Sequence, residues 1–335
     1  MTELFLKNQE IFHEYGVYEI ERVARHWQEP HRHYHNEDHL QKLVSEIDQL
    51  MASGRVDDAQ YKILLVAAYF HDVIYDPTRN DNEERSAELF IQLADSHPTT
   101  QLVKEIILDT QRHIPTSELS KTFIDLDMQV VSQSSFKQLL DWEKKIFKEY
   151  QHLDYTVYKA GRMHLLRQFI EAFPQNASNL QRLIDYLEVH RPKIGIYAGS
   201  FNPFHNGHLN ILEKAEQIFD KILIARGTNP DKEDSGQDSL HLKVLKHRQT
   251  ERFSGFLTHY VTSKENAADV TLVRGLRNGD DLDYEVNQLR FMQDMKQNLR
   301  IIFIPCDMEY EHISSSSIKN LNKIDPNFSK RYIPE

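Results

Sequence analysis

The chain has 335 residues, enough for two domains with cores of their own, and 51 acidic against 40 basic side chains give it a formal net charge of −11. That balance excludes a general preference for nucleic acid, while a local basic pocket for phosphates stays open. A single cysteine excludes an internal disulfide, no apolar run reaches membrane-spanning length, and the opening MTELFLKNQE lacks a secretory pattern, so a cytoplasmic protein away from the membrane is expected.

Residues 1 to about 190 read as almost entirely helical, with few glycines and no period-two strands. Several of the 18 histidines crowd into residues 26–39. In HRHYHNEDH, which starts at His31, His35 and His39 stand four apart and share a face if the segment opens a helix. From Tyr61, YKILLVAAYFHDVIYD is apolar nearly all round and reads as the central helix, interrupted by His71 and Asp72. A carboxylate in such a run is costly unless it is paired or bound to a metal. FIDLDM, from Phe123, again sets acids in an apolar stretch. Two or three imidazoles and two carboxylates without thiols make a nitrogen–oxygen site, suited to Mn²⁺, Fe²⁺, Co²⁺, Ni²⁺ or Mg²⁺, with Zn²⁺ less favoured.

The segments RHYHNEDH, FHDVIYDP, DNEERSA and DLDM resemble the H…HD…D constellation of the HD superfamily of metal-dependent phosphohydrolases over most of residues 10–175. The resemblance implies an all-α domain whose metal ligands are His35, His71, Asp72 and Asp127, with Asp125 the alternative to Asp127. It further implies hydrolysis of a nucleotide-like phosphoester, and makes Glu83 and His113 candidates for phosphate or water contacts. Two more helices, from Asp154 to Phe173 and from Asn176 to His190, close this domain, with Pro174 at their junction. A short polar linker around Pro192 then divides the expected domains, 1–190 and 194–335.

The second domain opens on IGIYAGSFNPFHNGH, Ile194 to His208. An apolar run suited to a buried parallel strand breaks at Gly199, and apolar residues from Leu209 to Phe219 recur at helical spacing. This strand–loop–helix points free N–H groups and the positive end of a helix dipole at whatever the loop holds. His205 and His208 can face the same anion. KILIARG, from Lys221, is a second buried strand, with TNPDK, ending at Lys232, at its carboxyl end, where ligands bind in open α/β sheets. Residues 233–254 are polar and poorly patterned. VTLV, from Val270, leads into Arg274-Gly-Leu-Arg277, two guanidinium groups at another strand end. Asp281 to Glu285 opens a long helix, RIIFIP is a further strand from Arg300, and HISSSSIK, from His312, sets hydroxyls at a helix start.

HNGH resembles the (T/H)xGH signature of the nucleotidyltransferase superfamily. RGLRNGDDLDYE and ISSSSIK extend the likeness, over residues 194–320, to the phosphopantetheine adenylyltransferase family. This implies a Rossmann-like α/β domain with a parallel sheet, transferring an adenylyl group from ATP, with Mg²⁺, to 4′-phosphopantetheine. His208, Lys232 and Arg274 would be catalytic. Gly199, Ser200, Phe201, His205, Arg277, Asp281, Tyr284, Glu285, Ser315 and Ser316 would bind nucleotide and acceptor. Asn202 stands where that family usually has Asp, and His205 where it usually has Thr. GSFNP is also how some nicotinamide mononucleotide adenylyltransferases read, which makes that acceptor the alternative, alongside a regulatory protein that binds nucleotide without turnover. A homo-oligomer is compatible with either.

Overall fold

The computed structural model describes residues 2–95, 97–228 and 240–334. The chain divides into two compact units, one made of Met1–Tyr150 and Arg162–Tyr186, the other of Gln151–Gly161 and Leu187–Glu335. The second unit therefore starts a few residues before the expected linker and also takes an earlier piece of chain.

The first unit is helical: α1 (Glu3–Lys7), α2 (Gln9–Glu14), α3 (Ile20–Trp27), α4 (Glu37–Ala52), α5 (Asp58–Phe70), α6 (Asn82–Leu93), α7 (Thr100–Asp109), α8 (Glu118–Asp127), α9 (Gln129–Gln133) and α10 (Phe136–Glu149), together with α11 (Tyr155–Ala172) from Arg162 on and α12 (Ala177–Val189) up to Tyr186, the remaining turns of these two helices falling to the second unit. As the apolar run predicts, α5 is central, with every residue from Ile63 to Phe70 buried. It starts at a capping box in which the Asp57 carboxylate accepts from the Gln60 amide and the Gln60 side chain from the Asp57 amide. Helices α4 and α7 pack against it, and their buried residues Leu40, Ile47, Val103 and Ile106 share one cluster with those of α5. No helix among the described residues is long and apolar enough to cross a membrane.

The second unit carries a five-stranded parallel sheet in the order β3-β2-β1-β4-β5. Its elements are β1 (Lys193–Gly199), α13 (Asn206–Glu216), β2 (Lys221–Gly227), β3 (Gln249–Phe253), α14 (Leu257–Lys264), β4 (Asp269–Leu276), α15 (Gly279–Met295), β5 (Ile301–Pro305), α16 (Ser315–Ile324) and α17 (Pro326–Ser329). β1 is the central strand; Ile196 pairs with Leu223 on one side and Leu272 on the other. It is buried from Ile194 to Ala198, as a strand covered on both faces must be. The sheet therefore winds outward in both directions from the β1–β4 seam, which makes the carboxyl end of that seam the switch point where ligands collect. β3 lies inside the stretch read as unpatterned. In its sequence QTERF only Gln249 is buried, as suits a strand at the sheet edge, where one side is not covered by a neighbour.

Candidate active sites

In the first unit, α5 stops at Phe70, and His71 and Asp72 follow its last turn instead of lying inside the helix. His71 donates through Nδ1 to the Ala68 carbonyl (2.8 Å), which leaves Nε2 as the inward-facing atom. That Nε2 lies 3.1 Å from Asp72 Oδ2, 3.4 Å from His39 Nε2 and 3.8 Å from Asp127 Oδ1. Asp127 Oδ1 is also 3.2 Å from His39 Nε2. The donor atoms of His39, His71 and Asp72 all fall within 4.8 Å of one another. Burial alone would keep His71 neutral, but the charge and hydrogen bond of Asp72 raise it to about 9. Burial alone would raise Asp72, yet the neighbouring His71 holds it far below the usual carboxylate range. Asp127 is lowered as well, against its burial, chiefly by His39. Two imidazoles in contact with each other and with two carboxylates need a shared proton or a cation between them.

His39 joins this group from the first turns of α4. His35 does not share a helix face with it, because α4 begins only at Glu37, where the Asn36 side chain accepts from the Asp38 amide. His35 lies in the preceding loop, its Nδ1 2.7 Å from Glu149 Oε2, and its ring centroid is 6.1 Å from that of His39. Asp125 is paired with Lys121 at the surface and takes no part. Glu83, near the start of α6, is half-buried, and its carboxyl is raised by burial and then by the charge of Asp72. His113 is exposed, in a turn at φ +52°.

Two supporting residues gave no signal in the sequence. Arg32 is buried and donates to the carbonyls of His35, Asp72 and Val73, tying the histidine loop to the turn after α5. Glu149, the last residue of α10, accepts from the amides of His33, Tyr34 and His35. Burial would raise it, but His35 and those amides hold it down at about 2.

In the second unit, a cleft of about 400 Å³ lies beyond the carboxyl ends of β1 and β4, within the size range of small-molecule sites. β1 and its loop bring Gly199, Ser200 and Phe201; α13 brings His205 and His208. Arg274 and Arg277 stand at the end of β4, Asp281, Tyr284 and Glu285 on the first turns of α15, and Ser315 and Ser316 at the start of α16. Lys232 lies outside the described residues. Cys306, Tyr310 and Ser314 line the cleft too, from loops whose convergence the sequence does not reveal.

Local geometry explains the loop. Phe201 adopts φ +46°, uncommon for a residue with a Cβ, yet its ring is buried against Tyr197, Phe204 and His208. A Cβ on Gly199 would meet that ring at 3.0 Å, which is why glycine stands there. His205 is the N-cap of α13: its Nδ1 accepts from the His208 amide, and His208 Nδ1 accepts from the His205 amide, both at 3.3 Å. The rings stack 3.6 Å apart. With each Nδ1 acting as acceptor, each neutral ring carries its proton on Nε2. Burial, with Arg277 adding to it, lowers His205 to about 4; His208 falls well below its ordinary value through burial, then His205 and Arg277. Across the cleft, Arg274 makes a bidentate pair with buried Glu285 (2.7 and 2.6 Å) and donates to the Ala198 carbonyl. Arg277 is held by Asp281 in the same manner.

The cap makes stability depend on pH. Unfolded histidine titrates at about 6.5, so between that value and about 4 the unfolded chain binds protons that the folded cap refuses. Stability is therefore lost as pH falls through this window. We expect the melting temperature of the second unit to drop between pH 7 and pH 5, and His205→Thr, which still caps a helix, to reduce that drop. An unchanged pH dependence in the variant would remove His205 from this role.

Residues 196–321 match the family model described as Cytidylyltransferase-like. A phosphopantetheine adenylyltransferase from Streptococcus sanguinis (strain SK36) is 32% identical over 148 residues, which cover 43% of this chain and 90% of that protein. One from Syntrophomonas wolfei subsp. wolfei (strain DSM 2245B / Goettingen) is 33% identical over 134 residues, covering 38% and 81%. One from Alkaliphilus metalliredigens (strain QYMF) is 28% identical over 150 residues, covering 43% and 93%. The chain belongs, through its C-terminal unit, to the cytidylyltransferase-like nucleotidyltransferases. Within that family it is related to the phosphopantetheine adenylyltransferases. The family match leaves residues 1–195 unassigned.

Proposed function

We propose that the C-terminal unit transfers the adenylyl group of ATP to 4′-phosphopantetheine, giving dephospho-coenzyme A and pyrophosphate. The observation that carries this reading is that His205 and His208, each with Nδ1 committed to the cap, line one cleft at the switch point together with two carboxylate-braced arginines. An oxygen of the acceptor phosphate attacks the α-phosphorus, and the bond to the β-phosphate breaks with its electron pair leaving on pyrophosphate. No general base is needed, because the acceptor is already an anion. The residues position the phosphates and stabilise charge. Mg²⁺ accompanies ATP and neutralises part of its charge.

Incubation with ATP and a panel of acceptors that includes 4′-phosphopantetheine and nicotinamide mononucleotide, with products identified by mass, tests the reading. Product from the nicotinamide acceptor alone would transfer the assignment to that chemistry, and ATP binding without any product would leave a regulatory role. Arg274→Lys is expected to lower kcat/KM for ATP at least about 10-fold despite keeping its charge, because lysine cannot reproduce the bidentate pair with Glu285. Wild-type kinetics in that variant would make Arg274 structural.

We infer that the first unit is a metal-dependent phosphohydrolase acting on a nucleotide-like phosphoester, with His39, His71, Asp72 and Asp127 as the ligand set. Here His39 takes the place that the resemblance gives to His35. The set fits a divalent transition ion, Mn²⁺, Fe²⁺, Co²⁺, Ni²⁺ or Zn²⁺: its donors are nitrogen and oxygen, those of His39, His71 and Asp72 lie within 4.8 Å of one another with Asp127 Oδ1 3.2 Å from His39, and His71 is oriented by a carbonyl behind it. When bound, such an ion supplies Lewis-acid activation of water and neutralises phosphoryl charge. The chain's own part is to hold the two rings and two carboxylates in place; Glu83 stands near enough to Asp72 to feel its charge and can accept a proton from water. Metal analysis of the purified protein and assay against p-nitrophenyl phosphate and nucleotides test this, and absence of both metal and hydrolysis would overturn it.

A further inference from the structure

Glu149 is 1% exposed and receives five hydrogen bonds. One carboxylate oxygen accepts from three successive amides, those of His33, Tyr34 and His35, at 2.8, 2.6 and 2.9 Å. The other accepts from His35 Nδ1 at 2.7 Å and from the Tyr75 hydroxyl at 2.8 Å. The Tyr75 ring in turn stacks on the His35 ring, with centroids 4.3 Å apart. His35 is thus gripped by its backbone, by one ring edge and by one ring face.

Burying a carboxylate is costly unless its lone pairs are satisfied, and here four of the five hydrogen bonds go into fixing a single loop. Yet the ring so fixed stays outside the group of His39, His71 and Asp72, and where Asp127 touches that group at 3.2 Å from His39 and 3.8 Å from His71, His35 pairs instead with Glu149. Its side chain is 22% exposed, against 5% for His39 and 1% for His71. Nδ1 is committed to Glu149, so Nε2 is the one atom the ring can offer a ligand. An imidazole held on three sides, beside a cluster of metal-type donors but not within it, and partly exposed, is placed to meet a substrate.

We propose that His35 contacts the phosphoryl group of the phosphoester hydrolysed in the N-terminal unit, and that Glu149 is the positioning residue that aims it. This rests on the reading of that unit as a metal-dependent phosphohydrolase. The test uses the full chain, Mn²⁺ as the metal and p-nitrophenyl phosphate as the substrate. His35→Ala is expected to keep its Mn²⁺ stoichiometry, to lose about 10²-fold in kcat, and to regain part of that loss when imidazole is added to the buffer. Glu149→Gln should also keep its metal and lose rate, but imidazole should not restore it, because the mis-aimed ring still occupies the space. His39→Ala should lose Mn²⁺.

If His35→Ala loses Mn²⁺ as His39→Ala does, His35 is a ligand and the proposal is overturned. It is equally overturned if His35→Ala keeps both metal and full rate. His35→Gln takes the place of the alanine variant should that fail to fold. A wild-type chain with neither metal nor hydrolysis would overturn the underlying reading, and this proposal with it.

Discussion

His208→Ala is expected to lower kcat for adenylyl transfer by about 10²–10³-fold, the effect of removing one preorganised donor from a site where charge develops. Two losses combine in that variant. The Nε2–H of a ring that lines the cleft disappears, and the His205 amide loses the acceptor that closed the cap. Asparagine at this position can still accept from that amide, so His208→Asn separates them. If chemistry depends on the ring, His208→Asn should melt near wild type and remain slow. A folded alanine variant with full turnover would remove His208 from catalysis.

Asp72→Ala is expected to empty the N-terminal centre of metal and to abolish hydrolysis, while adenylyl transfer stays within about twofold of wild type. Asp72 faces His71 Nε2 at 3.1 Å and is the carboxylate that holds that ring in its charged form when no cation is bound. Without it, two imidazoles and Asp127 remain, one donor fewer on a centre that needs about four. Each unit holds its own group of residues, and effects at independent sites add. Metal content by elemental analysis and the two assays run in parallel decide the matter. Equal metal in both proteins would take Asp72 out of the ligand set, and loss of both activities in a folded variant would mean that the two reactions share a centre.

The C-terminal site was legible in the sequence because its residues sit next to the turns that place them. Gly199, His205 and His208 follow one strand, Arg274 and Arg277 end another, and hydroxyls open a helix. Short-range rules put each at a strand or helix end, and parallel strands put those ends on one side. β3 escaped because an edge strand need not be apolar, and QTERF carries charge where the sheet meets solvent. The N-terminal centre was legible only in its chemistry. His71 and Asp72 betrayed themselves as polar residues in an apolar run. Which of His35 and His39 stands beside His71 and Asp72 turned on where α4 begins, and the Asn36-Glu37-Asp38 cap was the available clue. Arg32 and Glu149 could not be found that way, since a salt bridge or carboxylate clamp formed across many residues leaves no periodic trace.

The Glu149 clamp also sets an order of events during synthesis. It joins positions 114 residues apart, so the histidine loop, held by Arg32 to the turn after α5, lacks its amide and ring anchor until α10 has emerged and docked, and contacts of such sequence separation form late because their loop must close first. A ribosome-bound chain halted before residue 149 can collapse around the apolar face of α5 yet is expected to lack a set His35. Stalled-chain proteolysis should therefore find residues 31–36 cleavable until α10 is out and protected afterwards, which makes the last helical turn before Tyr150 the step that completes the N-terminal centre.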